Sequence, residues 1–133
     1  MKKLLPVFVA ALLLVGCAAP AEQEVTYRQI TVDEAVVMME KEEGYIILDV
    51  RTVAEYNEKH IPGAINIPNE TIGTDTIPEL PDKEQLILVY CRSGNRSKQA
   101  SEKLVKLGYT NVVEFGGIID WPGETQTNEG GPL

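Results

Sequence analysis

The sequence predicts an α/β domain: a parallel sheet with helices on both faces. Two near-continuous apolar runs of strand length, Tyr45 to Val50 and Leu86 to Tyr90, read as strands covered on both sides. They alternate with segments of helical period that open on capping boxes. The 133 residues, 44% hydrophobic and 24% charged, suit one soluble core, neither a disordered chain nor a membrane bundle.

The chain starts Met1-Lys2-Lys3, followed by twelve apolar residues from Leu4 to Val15 and then Gly16-Cys17-Ala18. A basic start and a short apolar stretch ending in small residues form a signal peptide pattern, and about 20 apolar residues would be needed for a span. Leu14-Val15-Gly16-Cys17 resembles the lipobox of bacterial lipoproteins. That resemblance implies a signal peptide over 1–16, cleavage before Cys17 and lipidation of its thiol. Residues 17–26 are then a lipidated cysteine and a flexible tether, for Ala18 to Thr26 shows no apolar period. The expected place is the cell envelope, on the extracytoplasmic face of a bacterial membrane.

Thr31, with Glu34 three residues on, caps a helix from about 32 to 42 that Gly44 ends; Ala35, Val36 and Met39 give its apolar spacing. The strand Tyr45 to Val50 follows. Thr52 with Glu55 repeats the capping box and opens a short helix before Ile61-Pro62-Gly63, and Ala64 to Ile67 is a short strand. Pro68 to Glu84 has three prolines and no period, so it reads as a loop with at most one helical turn. Leu86 to Tyr90 is the strongest strand. A helix over Ser97 to Leu107 carries Ala100, Leu104 and Leu107 on one face and stops at Gly108. Val112 to Phe115 is a last short strand, Gly116-Gly117 a turn, and 123–133 a flexible polar tail. The domain proper spans 27–122.

Net charge is −8, or −10 without Lys2 and Lys3 (10 basic residues against 20 acidic), which makes nucleic acid a poor partner. Of two cysteines, lipidation of Cys17 leaves Cys91 as the one free thiol of an exported chain, expected to be reactive or buried. No His/Cys ligand set is present and no metal or other cofactor is expected; Met38 and Met39 read as helix packing.

Cys91 opens the segment Arg92-Ser93-Gly94-Asn95-Arg96 between a buried strand and a helix. There an open parallel sheet binds ligands, because unpaired amides and the positive end of the helix dipole converge. A thiolate so placed is stabilised by amides, dipole, Arg92 and Arg96, which lowers its pKa below the usual value of about 8.5. Gly94 allows a tight turn that aims successive N–H groups inward.

Three ordered stretches resemble the rhodanese, or sulfurtransferase, family. They are Ile47-Leu48-Asp49-Val50-Arg51 with Glu55, Tyr56 and His60 to Pro68; Cys91 to Ser97; and Gly108-Tyr109, Val112, Gly116-Gly117 and Trp121. The likeness covers about Ile30 to Trp121 and implies a rhodanese-like parallel sheet flanked by helices. It also implies a catalytic Cys91 that takes the outer sulfur of a small anionic donor such as thiosulfate as a persulfide, then passes it to a thiol, cyanide or a reduced protein. Arg92 and Arg96 would guide the donor toward an acidic protein, with Ser93, Gly94 and Asn95 shaping the loop. A helix-start arginine such as Arg96 could instead pair with a carboxylate. His60, in a stretch that is a structural turn in the family, and Asp49 and Arg51, at a strand end, are expected to support the site. Trp121 reads as a lid on the core.

Two other functions compete. Phosphatases of related fold hold five residues between cysteine and arginine; here four separate Cys91 from Arg96, a tighter loop that favours a persulfide over a phosphate. A non-enzymatic persulfide carrier serving one protein partner at the membrane surface is the second.

Overall fold

The computed structural model describes residues 26–128. The signal segment 1–16, Cys17 and all but the last residue of the tether lie outside the described residues, as does the end of the tail.

Chain order is β1 (Arg28–Gln29), α1 (Val32–Lys41), β2 (Ile46–Asp49), α2 (Val53–Glu58), β3 (Ile65–Asn66), β4 (Ile87–Cys91), α3 (Asn95–Lys106) and β5 (Val112–Gly117). Single 3-10 turns follow β3 at Asn69–Thr71 and β5 at Ile118–Asp120. The five strands form one parallel sheet in the order β1-β5-β4-β2-β3, the parallel α/β architecture that the sequence predicts. β4 lies at its centre, so Cys91 sits at the carboxyl edge of the most enclosed strand.

Successive strand residues face opposite layers, which is why β2 and β4 are apolar almost throughout. On one face Leu48, Val50, Ile87 and Val89 pack against Ala100 and Leu104 of α3. On the other, Ile47, Leu88, Tyr90, Val113 and Phe115 pack with Val32 and Ala35 of α1 and with Ile61. Each large side chain buried in this way contributes about 1.5–3 kcal/mol. Met38 and Met39 pack at the edge of the second layer.

Both capping boxes form: Thr31 and Thr52 each accept the amide of the residue three positions on, Glu34 and Glu55, whose carboxylates return to the cap amides. α1 ends at Lys41, three residues before Gly44, because Glu42 turns extended and its N–H closes on the Met38 carbonyl. Pro68 to Glu84 contains one 3-10 turn.

The structure adds one strand and corrects two expectations. β1, an edge strand of two residues, has no apolar run to announce it and forms because the β5 edge is open to it. Gly116-Gly117 is not a turn after β5 but its end: Val89 pairs with Glu114 and Cys91 with Gly117, so β5 holds one extra residue in a bulge. The tail is tied down at its start. Gln126 bridges His60 through both backbone bonds, and the Asn128 N–H donates to the Asn57 carbonyl. No helix among the described residues is long and apolar enough to cross a membrane.

Candidate active site

The end of β4, the loop 92–94 and the start of α3 wrap around the Cys91 sulfur. Gly94 makes the turn with φ +118°, a conformation costly for any residue with a Cβ, and its N–H donates to Sγ at 3.0 Å. Ser97 Oγ, one turn into α3, lies 3.4 Å from Sγ. Cys91 is only 1% exposed. Burial by itself raises a thiol pKa; the Ser97 hydroxyl and the amides of Ser97, Gly94 and Ser93 outweigh it, and the Cys91 thiol stands below its ordinary value. The loop is therefore an anion cradle centred on sulfur.

The other side of the cradle is backbone. The Arg92 carbonyl accepts from the Ile119 N–H at 3.3 Å, turned toward the end of β5. It lies so close to Gly117 that a Cβ there would stand 1.8 Å from it. The bulge in β5 delivers this glycine opposite Cys91.

The two loop arginines part company. Arg96 makes a bidentate pair with Glu55 of α2, at 2.6 and 3.0 Å, so of its two expected roles the carboxylate pair is the one present. The side chain of Arg92 is exposed and makes no ion pair among the described residues. It lines a groove of about 430 Å³ beside the loop together with Arg51, Lys59, Glu58 and Ile119, the last 62% exposed. Of the loop cations, Arg92 is the one available to meet an incoming anion. Ser93 and Asn95 are exposed, and Ser93 serves the cradle through its amide.

Asp49 and Arg51 do not reach the sulfur. Asp49 Oδ2 accepts from Arg51 Nη2 at 2.6 Å and from the Tyr90 hydroxyl at 2.7 Å, and Arg51 Nη2 donates also to the Lys59 carbonyl. Tyr90 in turn accepts from the Ile61 N–H. Burial, and then the charge of Asp49, hold the Tyr90 phenol far above its ordinary pKa, so it remains a donor. This buried network ties the carboxyl ends of β2 and β4 together next to Cys91. His60 is buried, stacked on Tyr56 at 3.9 Å, with Nδ1 2.8 Å from the Tyr56 carbonyl oxygen. Its contacts are to Tyr56 and Gln126, not to the sulfur. Trp121 is half-buried against the second core layer.

Sequence reasoning missed Ser97, Glu114 and Tyr90 as members of the site. Ser97 was readable as the close of the Cys91 to Ser97 stretch. Glu114 was the one polar residue in a run of apolar β5 positions. Tyr90 passed as core because its hydroxyl partner, Asp49, is remote in sequence.

Glu55 has two tasks, capping α2 and holding Arg96. The Arg96 guanidinium, chiefly, holds its carboxyl down at about 2, against an ordinary 4.5. A carboxyl depressed on folding contributes stability above its unfolded pKa and loses it as pH falls through the folded value. The pair is partly exposed, so its worth is below about 1 kcal/mol. Urea midpoints should thus fall between pH 4.5 and about 2, and Glu55→Gln should be less stable than the parent at pH 7 but converge with it near pH 2. A constant difference across that range would refute this assignment.

A buried, amide-cradled cysteine at the carboxyl edge of the central strand of a parallel sheet marks the candidate site of this α/β domain. The rhodanese-like domain model matches residues 31–123, and the chain belongs to that family. Thiosulfate sulfurtransferase PspE of Escherichia coli (strain K12) is 41% identical over 73 residues, 55% of this chain and 70% of that protein. Thiosulfate sulfurtransferase GlpE of Coxiella burnetii is 32% identical over 104 residues, 77% of this chain and 94% of that protein. A solved structure described as rhodanese with anions from E. coli is 36% identical, with a TM-score of 0.57 over 62% of this chain and 98% of its own.

Proposed function

We propose that the protein is a sulfurtransferase of thiosulfate type that carries sulfur on Cys91. The observation that carries this reading is the cradle itself: a buried sulfur met by the Gly94 N–H at 3.0 Å, with its pKa lowered by hydrogen bonds. In the first half-reaction the Cys91 thiolate attacks the outer sulfur of thiosulfate. The new S–S bond forms as the old one breaks, and sulfite leaves with the electron pair. The persulfide anion keeps the cradle occupied by negative charge, so amides that stabilise the thiolate serve the intermediate as well. In the second half an acceptor such as cyanide or a thiolate attacks the outer sulfur, and Cys91 departs as thiolate. Arg92 draws the dianionic donor in against the acidic whole.

The test is intact mass of the domain after thiosulfate, then after an acceptor. A gain of one sulfur that cyanide removes over many cycles supports the enzyme. Discharge to a protein thiol alone supports the carrier, and no gain from any sulfane donor overturns the reading. The proposal extends to place: Cys17 anchors the domain by lipid at the outer face of a bacterial membrane. Metabolic labelling with a fatty acid should mark the full chain and leave Cys17→Ala unmarked; equal labelling would refute the anchor.

A further inference from the structure

Glu114 is a charged residue of the site that the mechanism above leaves unused. It lies in β5 and is 2% exposed. Its Oε1 accepts from Ser97 Oγ at 2.6 Å and from the Gly116 N–H at 2.8 Å, and no cation pairs with it among the described residues. A Cβ on Gly94 would stand 3.9 Å from the same oxygen, so the carboxylate forms part of the floor of the loop. A buried charge without a cation is expensive, and a neutral amide would satisfy the same two donors.

With Cys91 as the thiolate, Ser97 has one hydroxyl proton and four acceptors: Glu114 Oε1 at 2.6 Å, the Gly94 carbonyl at 2.9 Å, and Cys91 Sγ and the Gly116 carbonyl each at 3.4 Å, whereas the protonated thiol donates to Ser97 Oγ. The shortest contact is to the carboxylate, where charge strengthens the bond. We propose that Glu114 is a positioning residue for Cys91: it competes with the sulfur for the Ser97 proton and so sets how tightly the site holds the sulfur anion.

The inference rests on Cys91 as the sulfur carrier and deepens that reading. Sulfur transfer makes opposite demands on Sγ. In uptake its electron pair forms the bond to the donor's outer sulfur while sulfite leaves; in release that bond breaks and the pair returns to Sγ. A weakly basic thiolate leaves well and attacks poorly. By drawing the Ser97 proton, and by its own charge close to Sγ, Glu114 keeps the thiolate basic enough to attack. When Sγ departs as an anion, the same proton can turn back to it.

Glu114→Gln keeps the shape and an acceptor oxygen and removes the charge. The readout is the rate of Cys91 alkylation by iodoacetamide against pH, with far-UV circular dichroism to confirm the fold. The midpoint should fall by about one pH unit, for a like charge is removed close to the sulfur. The plateau rate should fall about threefold, as nucleophilicity follows basicity. The Arg96–Glu55 pair, with Glu70 near it, also lies beside the sulfur, Arg92 follows it in the loop, and the Asp49–Arg51 pair stands at the same sheet edge without reaching it. Asp33 and Asp120 flank the hollow beside Gly116. All are common to parent and variant and cancel in the comparison.

In a Ser97→Ala background the same substitution should shift the midpoint about half as far or less, because the shared proton is gone. An equal shift with and without Ser97 overturns the competition, and an unmoved midpoint overturns the role of Glu114. Should Glu114→Gln fail to fold, Glu114→Asp keeps the charge but withdraws the oxygen from Ser97; it too should lower the midpoint, and no shift there refutes the proposal. Alkylation needs no sulfur donor, so these outcomes are separate from a failure of the wild-type domain to take sulfur from thiosulfate.

Discussion

Cys91→Ser is expected to reduce sulfur transfer to background, a loss of about 10⁴-fold or more, while the fold survives. A hydroxyl at this position is not ionised at working pH and forms no persulfide, so the first half-reaction has no route. Serine nearly matches cysteine in volume, and its oxygen can accept from the Gly94 N–H that now meets Sγ at 3.0 Å. The unfolding free energy should therefore move by less than about 1.5 kcal/mol. Mass spectrometry after thiosulfate should show a gain of about 32 Da, one sulfur by the persulfide chemistry, in the parent and none in the variant. A variant that still turned over thiosulfate would sink the assignment of Cys91, whatever became of the fold.

The parts of this protein that the sequence disclosed are those fixed by local rules. Two capping boxes located α1 and α2 because the bonding partners lie three residues apart. Apolar runs located β2 and β4 because both of their faces are covered. Cys91, Gly94 and the start of α3 are contiguous, so the cradle is legible in the chain itself. What was hidden depends on distant pairing. β1 has only two residues and exists as an edge on β5. The β5 bulge is a matter of register against β4, which a Gly-Gly pair alone does not reveal.

The same limit applies to charge. Arg96 sits on the loop and was a candidate for donor binding; Glu55, 41 positions away, takes both its donor faces. The lowering of the thiol pKa was expected from amides, dipole and arginines together. In the structure burial is the largest single influence and raises it, and the Ser97 hydroxyl and three amides together outweigh burial. This division matters for the donor. With Arg96 committed to holding α3 on α2, Arg92 is the loop arginine that makes no ion pair, and apolar Ile119, 62% exposed, shares its groove.

Gly117→Ala is the substitution outside the cysteine with the largest expected effect. A Cβ at this position would stand 1.8 Å from the Arg92 carbonyl oxygen, 2.2 Å from its carbon and 2.5 Å from the Ser93 nitrogen. All three are backbone atoms, so no rotamer change relieves the clash and the strands or the loop must separate. The loop is the softer element. Its displacement withdraws the Ser93 and Gly94 amides from Sγ, so the Cys91 thiol should lose much of what lowers its pKa. We expect a loss of about 3 kcal/mol in stability. The alkylation midpoint should move up toward that of an ordinary buried thiol, and sulfur uptake should fall by about 100-fold or more at neutral pH. Gly73→Ala is the control, since nothing lies within 4 Å of a Cβ there; it should leave stability within about 0.5 kcal/mol and the midpoint unchanged. Equal behaviour of the two variants would mean that the close approach of β5 to the Arg92 carbonyl does not shape the cradle. A Gly117→Ala protein that lost stability but kept the low alkylation midpoint would place the effect in the sheet and leave the loop amides where they are.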